Sequence, residues 1–364
     1  MMKIAPLVLA GGKPGLFEKL TGNLPKTYLK VGGRRLYQYA ADALTATFGR
    51  VYVASPYPEN APYIYVEERG EGIEQAILTA ETYLGAETHI LLVYGDVYVE
   101  PAAYRTLVET AISAGADGAV LAVPRKATRG YGTLETKPGG LLARVGGESQ
   151  WIFGGAALLP RDFVKTLMHA TFYEALNQYA AVKKIATAPW GGVWHDVNYP
   201  EDILPLLEHV APRYTYIASG AKVSPTAVLE GPVVVEEGAE IDHYAVVKGP
   251  VYIGRRTFIG SHTLIRNYTY TEEGAVVGNA AEISHSLIGE RATIGRASFI
   301  SYSVVGADAV VEPNVTTMSI LREGRERLEP IEVRGRTYFK LGALIPRAAR
   351  VPAGTVLKPG TGWQ

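Results

Sequence analysis

"VYIGRRTFIGSHTLI", residues 251–265, sets an aliphatic side chain at positions 253, 259 and 265, with glycine after the first two. A helix repeats its buried face every 3.6 residues and a strand every second residue, so a period of six belongs to neither. The phase extends both ways: Val223, Leu229, Val235, Ile241 and Val247 precede it, and after a polar Thr271 it resumes at Val277 and Ile283. One residue drops out before Ile288, Ile294 and Ile300, and another before Val305 and Val311; Gly278, Gly289, Gly295 and Gly306 again follow the aliphatic position. This is a triangular solenoid of hexapeptide repeats, in which each hexapeptide makes one side, three make a coil, and the aliphatic residue points to the axis. A charged segment at residues 316–338 breaks the phase, which returns at Ile345, Val351 and Leu357. The break predicts an excursion loop or hairpin before a closing coil.

The first 210 residues follow another rule. Short apolar runs at Ile4–Leu9, Val51–Ala54, Ile90–Tyr94 and Gly118–Val123 read as strands, and Leu36–Phe48, Gly72–Leu84 and Pro101–Ala114 as helices. Strand and helix in alternation predict an α/β domain with a mostly parallel sheet, Rossmann-like, whose ligands lie beyond the carboxyl ends of the strands. The expected organisation is a first domain at 1–211, a linker at 212–221 and the solenoid at 222–364.

Composition narrows the function. At 364 residues the chain outgrows a single core. Formal charge is zero, which leaves no electrostatic footprint for nucleic acid or an anionic membrane and favours a small-molecule partner. There is no cysteine, so disulfides, thiolate metal sites and cysteine nucleophiles are excluded. No stretch approaches the roughly 20 apolar residues of a membrane span, and the N-terminal apolar run is too short for a secretion signal, so a cytoplasmic location is the default expectation.

Glycine-rich backbone follows the first strand in "LAGGKPGLFEKLTGNLPK", residues 9–26. It fits neither the Walker nor the dinucleotide spacing. With Lys13 and Lys26 it could still wrap a triphosphate through backbone N–H groups. The stretch resembles the signature of sugar-1-phosphate nucleotidylyltransferases, with Leu9, Gly11, Gly12, Lys13, Thr21, Pro25 and Lys26 on family positions. Downstream, Gly72 stands at a helix start near the nucleobase, "LLVYGDVYVE" resembles the strand ending in a metal-binding aspartate (Asp96), "GYGTLE" resembles a Y-G turn at Gly132, and "WHDVNYPEDIL" supplies Asp196.

The resemblance implies in-line attack of a sugar phosphate oxygen on the α-phosphorus of UTP or dTTP, with pyrophosphate leaving. Negative charge crowds such a reaction, so catalysis is positioning and cation supply. Asp96 and Asp196 would hold Mg²⁺, a hard ion suited to carboxylates. Lys26 would neutralise the phosphoryl group under attack and Lys13 would meet the β- and γ-phosphates. Gly132, Glu148 and Gly155 would surround the sugar. His195 reads as structural.

Several positions depart from the pattern. Leu16 replaces the loop arginine and Pro14 a glycine, and losing one preorganised donor removes about 3 kcal/mol of transition-state stabilisation. Glu148 lacks a following lysine, Ile73 replaces a threonine, and Glu68 stands in for the family's base-reading glutamine. Lys19 or Arg144 could substitute for the missing cations. A catalytically degenerate binding or regulatory subunit is the alternative.

Residues 259–360 resemble the left-handed parallel β-helix of archaeal two-activity sugar-1-phosphate enzymes. That resemblance implies a homotrimer or a dimer of trimers. A hexapeptide acyltransferase would need a histidine base, yet the family's histidine falls on Arg296 and a nearby lysine on Ser284. Arginine cannot serve as a base near neutral pH. The three solenoid histidines, His243, His262 and His285, read as solvated.

Overall fold

The computed structural model describes residues 2–67, 70, 72–125, 130–321, 323, 328, 330–333 and 335–363. The chain forms two compact units. One comprises Met1–Lys13, Pro25–Tyr28 and Leu36–Asp196; the other comprises Pro14–Leu24, Leu29–Arg35 and Val197–Gln364. This division differs from a linear cut near residue 211, because two short segments of the first 35 residues and the helix Ile203–His209 cluster with the second unit.

The first unit is built on a nine-stranded mixed sheet in the order Ile64–Glu67, Tyr52–Ser55, Ile4–Leu9, His89–Tyr94, Trp151–Pro160, Gly118–Pro124, Ile185–Pro189, Leu141–Val145 and Leu134–Lys137. Strand Trp151–Pro160 runs antiparallel to both neighbours, whereas Ile4–Leu9 is parallel to both of its own. Near-continuous burial along Ile4–Leu9, His89–Tyr94 and Gly118–Pro124 is the mark of strands covered on both faces. Leu9 pairs with both Ala54 and Tyr94, so the chain leaves three adjacent strands at one level. The glycine loop and Gly95–Asp96 therefore emerge side by side at the carboxyl edge. The helix expected over Gly72–Leu84 is shorter, Ile73–Glu81.

The second unit contains three all-parallel seven-stranded sheets, the faces of the expected left-handed β-helix. Ile253, Ile259, Ile265, Val277, Ile283 and Ile294 line its axis with no exposed surface. Thr271 and Thr317 are equally buried in the same phase, their hydroxyls bonded to the Tyr252 and Ser301 carbonyls. This is why the excursion begins later than the sequence suggested. Thr316–Thr317 still pairs with the closing strand Val356–Leu357, and only then does the chain leave the coil. Its described residues form antiparallel pairs, Ile320–Leu321 and Ile331–Val333 against Arg336–Lys340, before Leu344–Ile345 rejoins the first sheet. Where glycine follows an axial residue, close approach sets it: a Cβ on Gly278 would stand 2.7 Å from the amide of Arg296 in the next coil.

One expectation fails here. His243 and His262 are exposed, but His285 is 5% exposed, stacked on Tyr302 at 4.3 Å, with Nε2 3.2 Å from the Leu204 carbonyl. Burial pushes its pKa down to about 4. Its burial has no local mark in the sequence, because the helix that covers it lies some 80 residues away in the chain. Among the described residues, no helix is long and apolar enough to cross a membrane.

Candidate active site

The glycine loop begins as a cradle and ends as a helix. Ala10 is fixed on both sides, its amide donating to Ala54 at 2.8 Å and its carbonyl accepting from the Thr27 hydroxyl at 2.7 Å. Gly12 has φ +100°, a conformation that glycine alone adopts freely, with open space around its α-carbon and an exposed Lys13 next to it. Pro14, already helical at φ −61°, then starts the turn Gly15–Phe17 and the helix Glu18–Thr21, anchored by buried Phe17. Proline's fixed φ suits a helix start. Leu16 projects outward, 59% exposed. The chain returns through buried Pro25 into the turn Lys26–Tyr28.

Gly95 is dictated by its neighbours. Its amide donates to the Leu9 carbonyl at 2.9 Å, and a Cβ would come within 2.5 Å of that oxygen and 2.8 Å of the Tyr37 Cβ. Asp96 is thereby held beside the start of the loop, and the Lys26 ammonium lies 2.7 Å from its carboxylate, both side chains about one-fifth exposed. The next strand, Val97–Val99, pairs antiparallel with Trp194–Asp196, setting Asp196 opposite Val97. Directly opposed Cα atoms are about 5 Å apart and consecutive ones about 3.8 Å, so the two aspartate Cα atoms lie within about 9 Å. A buried bond pins this pairing, Trp194 Nε1 donating to the Gly154 carbonyl at 3.0 Å, and Gly155 lies so close to Val97 that a Cβ there would stand 2.9 Å from its side chain.

Charge agrees with this geometry. Burial raises the pKa of the Tyr94 phenol, and Tyr173, Asp96, Glu74 and Asp196 push it further up. Burial and then Asp196 raise Tyr173. Both aspartates thus act on one phenol. The sequence pattern gives neither Tyr94 nor Tyr173 a role in the site, although Tyr94 directly precedes Gly95–Asp96. The hydroxyl of Tyr173 is bonded to the Gly132 backbone and occupies the space a Cβ there would need, 2.6 Å from its Cζ.

The other expected residues divide. Gly72, at φ +98°, precedes the helix Ile73–Glu81, and its carbonyl accepts from Ala76 at 3.2 Å. Glu148 is exposed, and its backbone bonds the Glu135 carboxylate. Arg144 holds that same carboxylate through two bonds of 2.7 and 3.0 Å, and the Lys19 ammonium donates to the Gly362 carbonyl at 3.1 Å. Both suggested substitute cations are therefore already engaged. Arg125, missed in the sequence, lies over the Trp194 ring at 5.0 Å and adds a cation at the carboxyl edge. Strand alternation turns His195 away from the face bearing Trp194 and Asp196. Glu68 lies outside the described residues.

Comparison with known proteins gives consistent matches. Residues 6–215 match the family model of the MobA-like NTP transferase domain, and residues 229–321 match that of the GMPPB C-terminal domain. The bifunctional protein GlmU of Methanocaldococcus jannaschii is 28% identical over 301 residues, spanning 78% of this chain and 72% of that relative. Two solved structures align at a TM-score of 0.47 and 15% identity. A Bacillus anthracis protein assigned as a glucose-1-phosphate thymidylyltransferase covers 56% of this chain and 93% of its own, and the inositol-1-phosphate CTP transferase of T. maritima covers 55% and 91%.

Proposed function

The chain belongs to the family of MobA-like NTP transferase domains, and from that premise we propose that it is a Mg²⁺-dependent sugar-1-phosphate nucleotidylyltransferase. It joins UTP or dTTP to a sugar 1-phosphate and releases pyrophosphate. The supporting observation is the pairing of Asp196 with Val97 beside Asp96, with the Lys26 ammonium 2.7 Å from the Asp96 carboxylate.

In this reading the triphosphate lies along the amides from Gly11 to Lys13, where backbone donors meet anionic oxygens without ordering any side chain. Lys13 contacts the terminal phosphates. Lys26 faces the α-phosphate. A sugar phosphate oxygen forms the new P–O bond in line with the bond to the β-phosphate, which breaks as pyrophosphate departs. Asp96 and Asp196 suit a hard divalent cation: both are carboxylates, Asp196 on a strand paired with Val97 and Asp96 on the turn just before Val97. Bound there, Mg²⁺ would offset phosphate charge. Gly132, Glu148 and Gly155 line the sugar side, and Arg125 is a candidate to meet the sugar phosphate.

Release of pyrophosphate tests this directly, using purified protein, Mg²⁺, a panel of triphosphates and a panel of sugar 1-phosphates. Turnover with UTP or dTTP is the expected result. Triphosphate binding by calorimetry without pyrophosphate release would favour the degenerate binding subunit, a reading supported by exposed Leu16 and by the prior engagement of Lys19 and Arg144. A trimer or a dimer of trimers by light scattering is the expected assembly.

A further inference from the structure

The coil that interrupts the hexapeptide pattern carries an acid with no part in the chemistry above. At one corner of the solenoid the residue after the axial position is Gly254, Gly289 and Gly306 in different coils, but Glu272 in the coil between the first two. Glu272 is 1% exposed, and its two carboxylate oxygens accept from the backbone amides of Gly32 at 2.6 Å and Gly33 at 2.9 Å.

Those glycines form the two-residue turn of the hairpin Lys30–Val31/Arg34–Arg35, with φ +63° and +73°. Such a turn needs positive φ at both positions. Gly33 has a second reason to be glycine, since a Cβ there would collide with the Tyr252 hydroxyl. Tyr252 in turn stacks on buried Tyr270. A further tie joins the Lys30 ammonium to Glu290 at 2.7 Å. A buried carboxylate between two amides is strongly destabilising if either side is lost, so this contact fixes the turn firmly.

Lys26 lies four residues before Lys30, on the link Pro25–Tyr28, which is closed by the Tyr28 amide donating to the Pro25 carbonyl at 2.9 Å. The segment on its other side is also tied down: the Lys19 carbonyl accepts from the Arg347 amide at 2.8 Å and its ammonium donates to Gly362. Both flanks of the lysine are thus bonded to residues of the β-helix. We infer that Glu272 is a positioning residue for nucleotidyl transfer: by holding the Gly32–Gly33 turn, it fixes the link that presents the Lys26 ammonium. The inference rests on the function proposed above.

The test uses the full chain with Glu272→Ala, Glu272→Gln and, on the hairpin side, Lys30→Met. Glu272→Ala should accelerate amide exchange at Gly32 and Gly33, lower kcat about 10- to 100-fold and raise KM for the triphosphate. Glu272→Gln keeps one acceptor and should fall between it and the parent. Lys30→Met should move the same quantities less. A merely smaller folded fraction would lower apparent kcat and leave KM unchanged. Faster exchange with parental kcat and KM would overturn the inference. Where Glu272→Ala does not fold, the other two variants carry the same test. If the parent releases no pyrophosphate, the functional reading fails by itself. Triphosphate affinity then decides the inference: weakening by Glu272→Ala to match Lys26→Met upholds it, and an unchanged affinity overturns it.

Discussion

Gly95 and Gly278 are glycines for the same immediate reason and with opposite consequences. At each, an atom of neighbouring backbone stands within 3 Å of where a Cβ would be. At Gly278 the neighbour is the next coil, and the same requirement recurs around the solenoid at Gly260, Gly289 and Gly295. At Gly95 it is the Leu9 carbonyl; Gly118 meets the Leu158 carbonyl in the same way away from the site, but among the site's described glycines the requirement is met by backbone at Gly95 alone, where it seats Asp96 against Lys26. The repeated constraint shapes a scaffold, and the single one shapes a site.

The largest effects should come from the single constraint. Gly95→Ala must separate two strands or tilt the turn, and a shift of about 1 Å at Asp96 should cost roughly a hundredfold or more in pyrophosphate release. Asp196→Asn, which keeps the shape and removes the charge, should lose a comparable factor. Parental rates in both variants would break the contrast at its catalytic end.

Next in size is a pH effect from the scaffold side. Burial raises the Glu272 carboxyl to about 7, against the pull of the Gly32 and Gly33 amides and Lys30 and with Glu290 adding to it. Below the unfolded value near 4.5 the group is protonated in both states and contributes nothing. Between 4.5 and 7 the unfolded chain releases its proton while the folded chain keeps it, so stability falls as pH rises and levels off above 7. The span is about 3 kcal/mol. Chemical denaturation of the parent and of Glu272→Gln from pH 4 to 8 should show this slope in the parent and its loss in the variant.

Gly278→Ala sharpens the comparison from the other side. Overpacking one corner should cost about 1–3 kcal/mol in denaturation while leaving kcat unchanged. The smallest effect expected is a gain: Leu16→Arg restores a guanidinium at an exposed position and should raise the rate about tenfold, the equivalent of about 1.4 kcal/mol. No gain would mean that the parent's loop does not lack a cation at this position.

The same contrast explains what could be read in advance. The solenoid was legible because every coil must obey the same axial and corner constraints, so the period survives single exceptions. Thr271 and Thr317 hid in that period because a hydroxyl bonded to a neighbouring carbonyl can replace a methyl group inside. Asp96 and Asp196 were legible from short phrases, each tied to its own strand end. The Tyr94–Tyr173 pair, the burial of His285 and the partner of Glu272 were not, because each joins residues about 80 to 240 positions apart and leaves no local pattern. Glu272 left no distinctive sign either, since acids also follow axial residues at Glu236, Asp242 and Glu312.

The end of the solenoid is also closed in a way that bears on assembly. The Leu344 amide donates to the Thr361 carbonyl, and buried Trp363 reaches the Gly342 carbonyl with its indole nitrogen. Residues 361–363 thereby cover part of the edge of the last coil. At the opposite end, Tyr216–Ile217, Lys222–Val223 and Val228–Glu230 are the outermost strands of their sheets. The Leu344–Ile345 edge is thus partly occupied by the chain's own turn, which leaves less main chain there for an edge-to-edge partner than a bare outer strand would offer.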